Sequence, residues 1–132
     1  MTLLFLGEDN PGDVFLIKEA LREHAVACEL LVANDGAEVR EYFSKVERDG
    51  ARVPDLVLLD LNLPKISGMD LLRRIKNIPC CRDTPVVIIS SSDSPRDRLE
   101  SQALGAHSYI RKASVLEEYL QLGAVIKRIL EA

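Results

Sequence analysis

Short apolar segments alternate with amphipathic segments along the whole chain. Three of the apolar segments are continuous and too short for helices, at residues 2–6, 56–60 and 85–90. Two further candidate strands lie at residues 28–33 and 107–111. Strands that are apolar on both faces are typical of a parallel sheet covered by helices on both sides.

The segments between these strands have the apolar spacing of α-helices. In the second such segment the apolar stripe consists of Val39, Tyr42, Phe43 and Val46. In the last it consists of Val115, Tyr119, Leu122, Ile126 and Ile129. Helix starts are predicted at Asp13 and Ser114 as N-caps and at Ser94 followed by Pro95.

Five strands, each followed by one helix, predict a doubly wound α/β fold. The expected architecture is flavodoxin-like, (βα)5, with a five-stranded parallel sheet in the order 2-1-3-4-5. The 132 residues have the length of one compact domain. We therefore expect one domain over residues 1–132, with no output domain.

Charge and composition narrow the classes of partner. The formal net charge of −4 provides no basic surface for nucleic acid or for an anionic membrane. The apolar start of the chain lacks a basic leader and is interrupted by Glu8 and Asp9, which argues against a signal peptide or a membrane span. Three cysteines without framework spacing favour a reducing compartment, so a cytoplasmic protein is expected.

Polar residues follow four of the predicted strands. They are Glu8 and Asp9 after the first strand, Asp60 at the end of the third, Ser90 at the end of the fourth and Lys112 after the fifth. In an open α/β sheet, ligands bind at the carboxyl ends of the strands. Neighbouring strands lie about 5 Å apart, so the three carboxylates are expected to share one site.

Such a group of carboxylates favours a bound cation. Like charges this close raise one another's pKa unless a positive charge lies between them. A small set of oxygen ligands suits Mg²⁺, with Mn²⁺ as an alternative. With the Lys112 ammonium and the Ser90 hydroxyl added, the set suits transfer of a phosphoryl group to a carboxylate.

Four segments carry a family resemblance. Residues 6–13 (LGEDNPGD), 58–68 (LLDLNLPKISG), 87–90 (VIIS) and 110–112 (IRK) together resemble the receiver domain of two-component response regulators, the CheY-like superfamily. The segment at residues 8–13, followed by residues 18–21, looks most like the stand-alone response regulators of bacterial phytochrome histidine kinases.

The resemblance implies a role for each site residue. Asp60 would accept a phosphoryl group from a histidine kinase. Asp9 and Asp60 would bind Mg²⁺ directly, Glu8 through water, and Asn62 through its backbone carbonyl. Ser90 would hydrogen-bond the phosphoryl oxygen, Lys112 would pair with the phosphoryl group, and Tyr109 would act as an aromatic switch. The chain would then be a signalling phosphoprotein and not an enzyme, beyond its own phosphorylation and dephosphorylation.

The resemblance also implies an interaction surface and shows one departure. Helix four, strand five and helix five form the family's usual dimer face, to which Leu116 and Leu120 could contribute. The family usually has proline after the lysine of strand five, whereas this chain has Ala113. A cis bond before a residue other than proline costs about 2.5–4 kcal/mol, so either a strained cis bond or a trans bond that redirects Lys112 is expected.

Three other functions compete with this interpretation. An aspartate-nucleophile phosphatase would have a second Asp two residues after Asp60, where this chain has Asn62. A flavin or nucleotide binder would meet repulsion from Glu8 and Asp9. A receiver-like module that binds its partner without phosphorylation is the main alternative, and the Lys112-Ala113 departure is its support.

Overall fold

The computed structural model describes residues 1–112 and 115–132 and shows one parallel sheet flanked by helices. The strands are β1 (Thr2–Gly7), β2 (Cys28–Ala33), β3 (Leu56–Asp60), β4 (Val86–Ser90) and β5 (Ser108–Arg111). The helices are α1 (Pro11–Glu23), α2 (Gly36–Asp49), α3 (Gly68–Lys76), α4 (Pro95–Ala103) and α5 (Leu116–Glu131), with a 3-10 turn at Pro79–Cys81. The order β2-β1-β3-β4-β5 confirms the predicted topology.

Each face of the sheet has its own apolar core, which explains why β3 and β4 are apolar up to their last residues, Asp60 and Ser90. One core joins alternate residues of β1, β3 and β4 to α2 and α3, through Phe5, Leu59, Ile88, Phe43 and Leu72. The other joins the remaining residues to α1 and α5, through Leu6, Leu58, Ile89, Ile17 and Ile126. Adjacent strand residues point to opposite faces, so both sets are buried.

The start of α1 differs from the prediction. Asn10, not Asp13, is the N-cap: its side-chain oxygen accepts hydrogen bonds from the backbone N–H groups of Gly12 (2.8 Å) and Asp13 (3.2 Å). Pro11 takes the first helical position, where a missing N–H has no consequence. The Asp13 side chain is thereby left available for other contacts.

Two other predicted helix starts have different outcomes. Ser94 caps α4 as predicted, since its side chain accepts from the Asp97 N–H and Pro95 opens the helix. Val115 was expected on the buried stripe of α5, but it precedes the helix and is half exposed. The predicted cap Ser114 and the Lys112–Ala113 bond lie outside the described residues.

Gly68 determines how closely α3 approaches the end of β3. A Cβ atom at this position would lie 2.4 Å from the Asp60 carbonyl oxygen and 2.6 Å from the Leu61 Cα. The Gly68 N–H also donates to the Leu61 carbonyl at 2.9 Å. The loop after β3 therefore folds back against the strand end that carries Asp60.

Across the described residues, none of the helices has the length and apolar character needed to cross a membrane.

Candidate functional site

The sheet register places the predicted site residues at one edge. Gly7 of β1 pairs with Leu59 of β3, and Asp60 is level with Ile89 of β4. Ser90 is in turn level with Arg111 of β5. The neighbouring strands therefore bring four predicted site residues to the same end of the sheet: Glu8, Asp60, Ser90 and Lys112.

Three carboxylates meet there. Glu8, Asp9 and Asp60 each offer an oxygen, and these atoms lie within 4.8 Å of one another. Asp9 is exposed, whereas Glu8 is fully buried and Asp60 nearly so. Burial raises the pKa of Glu8 from 4.5 to about 7, against the lowering effect of Lys112 and with a further rise from Asp60. The predicted acidic cluster is confirmed.

Lys112 supplies the positive charge of the site. Its Nζ donates hydrogen bonds to Asp13 Oδ2 (2.9 Å) and Asp60 Oδ2 (3.1 Å), and it forms an ion pair with Glu8 Oε1 at 2.7 Å. Burial opposes the charge on this ammonium, but the contacts with Glu8, Asp13 and Asp60 outweigh burial and raise the Lys112 pKa. Lys112 therefore remains positively charged and interacts with three carboxylates at once.

Asp13 is a site residue that the sequence analysis assigned only to helix capping. Its side chain is one fifth exposed and lies in the first turn of α1, the helix that follows Glu8 and Asp9 in the chain. An acidic residue one helical turn beyond an acidic pair was a signal that could have identified it.

The Asp60 carboxylate is fixed at both oxygens. Oδ1 accepts from the backbone N–H of Asn62 at 3.0 Å, while Oδ2 accepts from Lys112. An open cleft of about 560 Å³ lies above it. The cleft is lined by Asp9, Asn10, Asp13, Asp60, Asn62, Ser91, Arg111 and Lys112. Asn10, Ser91 and Arg111 are lining residues to which the sequence analysis gave no site role.

Ser90 and Tyr109 lie on the neighbouring strands β4 and β5. Ser90 is fully buried, and its Oγ accepts from the Ser92 N–H at 3.1 Å. The Ser90 carbonyl also accepts from the Lys112 N–H at 2.7 Å. The half-buried Tyr109 donates its hydroxyl hydrogen to the Ser92 carbonyl at 2.9 Å, with the Arg98 guanidinium 4.6 Å from its ring centre. Tyr109 thus contacts the loop that follows Ser90.

The acidic cluster fits a hard divalent cation. Glu8 Oε1 is buried and makes no hydrogen bond within the described part of the chain, although it pairs in charge with Lys112. The buried carboxylate oxygens converge next to the exposed Asp9 and an open cleft. This arrangement suits Mg²⁺ or Mn²⁺, because these ions retain bound waters and accept few protein ligands.

The chain resembles known proteins over almost its whole length. The family model described as "Response regulator receiver domain" matches residues 4–122. The response regulator Rcp1 of Synechocystis sp. is 31% identical over 121 residues, which cover 91% of this chain and 82% of Rcp1.

Solved structures agree with the fold. The phosphorylated cyanobacterial phytochrome response regulator RcpA has a TM-score of 0.88 at 37% identity, covering 99% of this chain and 94% of RcpA. The Mn²⁺-bound form of Rcp1 has a TM-score of 0.86 at 30% identity, and the match covers 96% of this chain and 92% of Rcp1. The bacteriophytochrome response regulator RtBRR has a TM-score of 0.80 at 30% identity, and the match covers 98% of this chain and 78% of RtBRR.

Proposed function

The chain belongs to the family of response regulator receiver domains, which are signalling proteins, and on that basis we propose that Asp60 accepts a phosphoryl group in a Mg²⁺-dependent reaction. One observation carries the proposal: Glu8, Asp9 and Asp60 bring oxygens within 4.8 Å of one another while Lys112 lies 3.1 Å from Asp60 Oδ2. The proposed acceptor, the proposed metal ligands and a positive charge therefore lie together at the edge of an open cleft.

The covalent step joins an Asp60 carboxylate oxygen to phosphorus. The bond from phosphorus to the donor breaks, and its electron pair leaves with the imidazole of a phosphohistidine or with the acetate of acetyl phosphate. Lys112 offsets negative charge as it accumulates, and the Asn62 N–H holds Asp60 Oδ1 in place. Such transfer depends mainly on positioning and charge neutralisation.

The proposed metal ligands are Asp9 and Asp60 directly, Glu8 through water and the backbone carbonyl of Asn62. When bound, Mg²⁺ (or Mn²⁺) would neutralise charge on the phosphoryl oxygens. Ser90 is the proposed donor to a phosphoryl oxygen. Because its Oγ is buried and accepts from the Ser92 N–H, that role requires Ser90 to turn toward the cleft. Tyr109, bonded to the same loop, is the proposed second part of this switch.

The proposed phosphoryl donor is a histidine kinase of the bacteriophytochrome class. Support comes from RcpA and RtBRR, which are phytochrome response regulators by name and are 37% and 30% identical to this chain. Beyond its own phosphorylation and dephosphorylation, no further enzymatic activity is proposed. The proposed location is the cytoplasm, where thiols such as those of Cys28, Cys80 and Cys81 stay reduced.

Intact mass after incubation with acetyl phosphate tests the acceptor. With Mg²⁺ we expect a gain of about 80 Da, the mass of one phosphoryl group, and no gain in EDTA. Asp60→Asn should remain unlabelled, while Asp70→Asn, which changes an exposed carboxylate in α3, should label like the parent. Circular dichroism would confirm that both variants fold.

The outcomes separate the two candidate functions. A parent protein that takes no label with Mg²⁺ would contradict the proposal and favour a receiver-like module that binds its partner without phosphorylation. Labelling that persists in Asp60→Asn would move the acceptor to another residue.

We propose that the signal leaves through the surface formed by α4, β5 and α5, by pairing of two copies. Apolar side chains support this surface: Leu99 is 67% exposed, Leu116 is 51% exposed, and Leu120 is half buried. β5 is also an edge strand of the sheet. Exposed apolar side chains near one another are typical of interaction sites.

Light scattering checks this surface. In Mg²⁺ with beryllofluoride, a phosphoryl analogue, we expect a dimer of the parent that Leu99→Ser and Leu116→Ser each weaken. Phe15→Ser, which removes an equally exposed apolar side chain from α1, should leave the dimer intact. A parent that stays monomeric with the analogue would contradict the dimer proposal.

A further inference from the structure

Lys112 is held by one carboxylate that has no part in the proposed metal and acceptor set. Of its three partners, Glu8 and Asp60 belong to that set. Asp13, in the first turn of α1, does not, and its Oδ2 accepts a 2.9 Å hydrogen bond from Lys112 Nζ. An ammonium has three N–H donors, and here three carboxylates surround it. Each of the three lies within 3.1 Å of Nζ, so a new anion has to compete with a carboxylate that is already in place.

A phosphoryl group on Asp60 therefore has to displace one partner of Lys112. Glu8 is fully buried, so it cannot be released into water. Asp60 carries the phosphoryl group itself. Asp13 has a side chain that is 21% exposed and borders the cleft, so it is the partner that can be given up with the smallest loss of solvation.

A second donor lies on α5, which packs against the helix that carries Asp13. The Tyr119 hydroxyl on α5 is buried, with the residue only 5% exposed, and it makes no hydrogen bond to any described residue. It lies near the pair of Lys112 and Asp13: Tyr119 and Lys112 line the same cavity, and Lys112 Nζ donates to Asp13 Oδ2 at 2.9 Å. A buried hydroxyl without a partner is unfavourable, and an acceptor released by Lys112 would satisfy it.

The packing of α1 against α5 keeps these two side chains together. At Gly123 of α5 a Cβ atom would lie 2.2 Å from the Ala20 carbonyl oxygen of α1, so the two backbones are in direct contact. Tyr119 lies one turn before Gly123 on the same helix. Neither helix can turn away from the other without loss of this contact.

We propose that Asp13 is a positioning residue that holds Lys112 in the resting protein, and that phosphorylation of Asp60 transfers Lys112 to the phosphoryl oxygens while Asp13 accepts a hydrogen bond from Tyr119. The inference rests on the proposed function of Asp60. It predicts that the α1–α5 contact, and not only the Ser90 and Tyr109 side of the site, responds to phosphorylation.

Labelling rates test the competition for Lys112. Asp13→Asn should take label from limiting acetyl phosphate about two- to fivefold faster than the parent, the size expected from loss of one partly exposed ion pair. Glu19→Gln removes a charge from the same helix, where it pairs with Arg22, and should label at the parent rate. A rate at or below that of the parent in Asp13→Asn would overturn the proposal.

The NMR signal of Tyr119 distinguishes the proposed exchange of hydrogen-bond partners from a purely structural role of Asp13. With carbon-13 at the tyrosine ζ position, the Tyr119 signal, assigned with Tyr119→Phe, should shift when Mg²⁺ and beryllofluoride are added. The shift should be absent in Asp13→Ala, whereas Tyr42, bonded to the Arg52 carbonyl, should stay constant in both proteins.

The outcomes distinguish the inference from its premise. A Tyr119 signal that stays fixed in the parent, or moves equally in Asp13→Ala, would overturn the inference alone if the parent still takes label on Asp60. A parent that takes no label would overturn the proposed function and this inference together.

Discussion

Replacing Lys112 by methionine is expected to lower the free energy of unfolding by about 3–5 kcal/mol at about pH 8 in EDTA. The variant leaves the buried carboxylates of Glu8 and Asp60 without the ammonium that lies within 3.1 Å of each. Breaking a buried ion pair by removal of one partner is strongly destabilising because the remaining charge stays out of water. Urea denaturation followed by circular dichroism measures the change.

A matched variant isolates the effect of burial. Lys45→Met breaks an exposed pair with Glu41, whose side chain is 70% exposed, and should cost less than about 1 kcal/mol. Saturating Mg²⁺ should recover part of the loss in Lys112→Met, since a bound cation replaces the missing charge. Equal losses in the two lysine variants would contradict the central role assigned to Lys112.

The loss in Lys112→Met should also depend on pH. The pKa of Glu8 is about 7 in the folded protein and ordinarily 4.5, so the folded protein holds this proton more tightly than the unfolded chain does. Stability from Glu8 is therefore complete below the unfolded pKa and decreases as the pH rises through the folded pKa. Without Lys112 this decrease should be larger, so the deficit should grow between about pH 5 and pH 8. A deficit that shrinks as the pH rises would exclude Glu8 as its source.

Replacing Gly68 by alanine should be the second severe change. The added methyl would lie 2.4 Å from the Asp60 carbonyl oxygen and 2.6 Å from the Leu61 Cα, and both are backbone atoms. Relief requires α3 to move away from the end of β3. We expect a loss of about 1–3 kcal/mol in unfolding free energy, together with slower labelling of Asp60, because the strand end that carries the acceptor shifts.

Gly12→Ala is the matched control for Gly68→Ala. Gly12 also lies in the first turn of a helix beside the site, but its Cβ would meet only the Asn10 side-chain oxygen, at 3.1 Å. Its stability and labelling rate should stay close to those of the parent. Labelling of Gly68→Ala at the parent rate would show that the position of α3 does not influence Asp60.

The fold and the acidic cluster could be predicted because both depend on local patterns. Continuous apolar strands separated by amphipathic helices permit few topologies, and a polar residue that ends a parallel strand has to lie at the ligand-binding edge. Asp60 and Lys112 are 52 residues apart in sequence and still meet as that rule requires.

The remainder depended on side-chain directions, which a pattern does not encode. Asp13 was interpreted as a cap because Asp is a good capping residue, but Asn10 precedes Pro11 and takes that role. The role of the Ser90 hydroxyl stays a prediction, since this structure shows only that its Oγ accepts from the Ser92 N–H. The burial of Tyr119 was predicted, but the apolar spacing could not show that its hydroxyl has no hydrogen-bond partner among the described residues.

The wide separation of the site residues in sequence has a consequence for folding. Asp13 and Lys112, 99 residues apart, are joined by a hydrogen bond, and the acceptor lies between them on the middle strand of the sheet. No segment shorter than most of the chain contains the acceptor, its acidic neighbours and the ammonium. We therefore expect that a nascent or partly folded chain lacks the proposed phosphorylation site until the last strand pairs with the sheet.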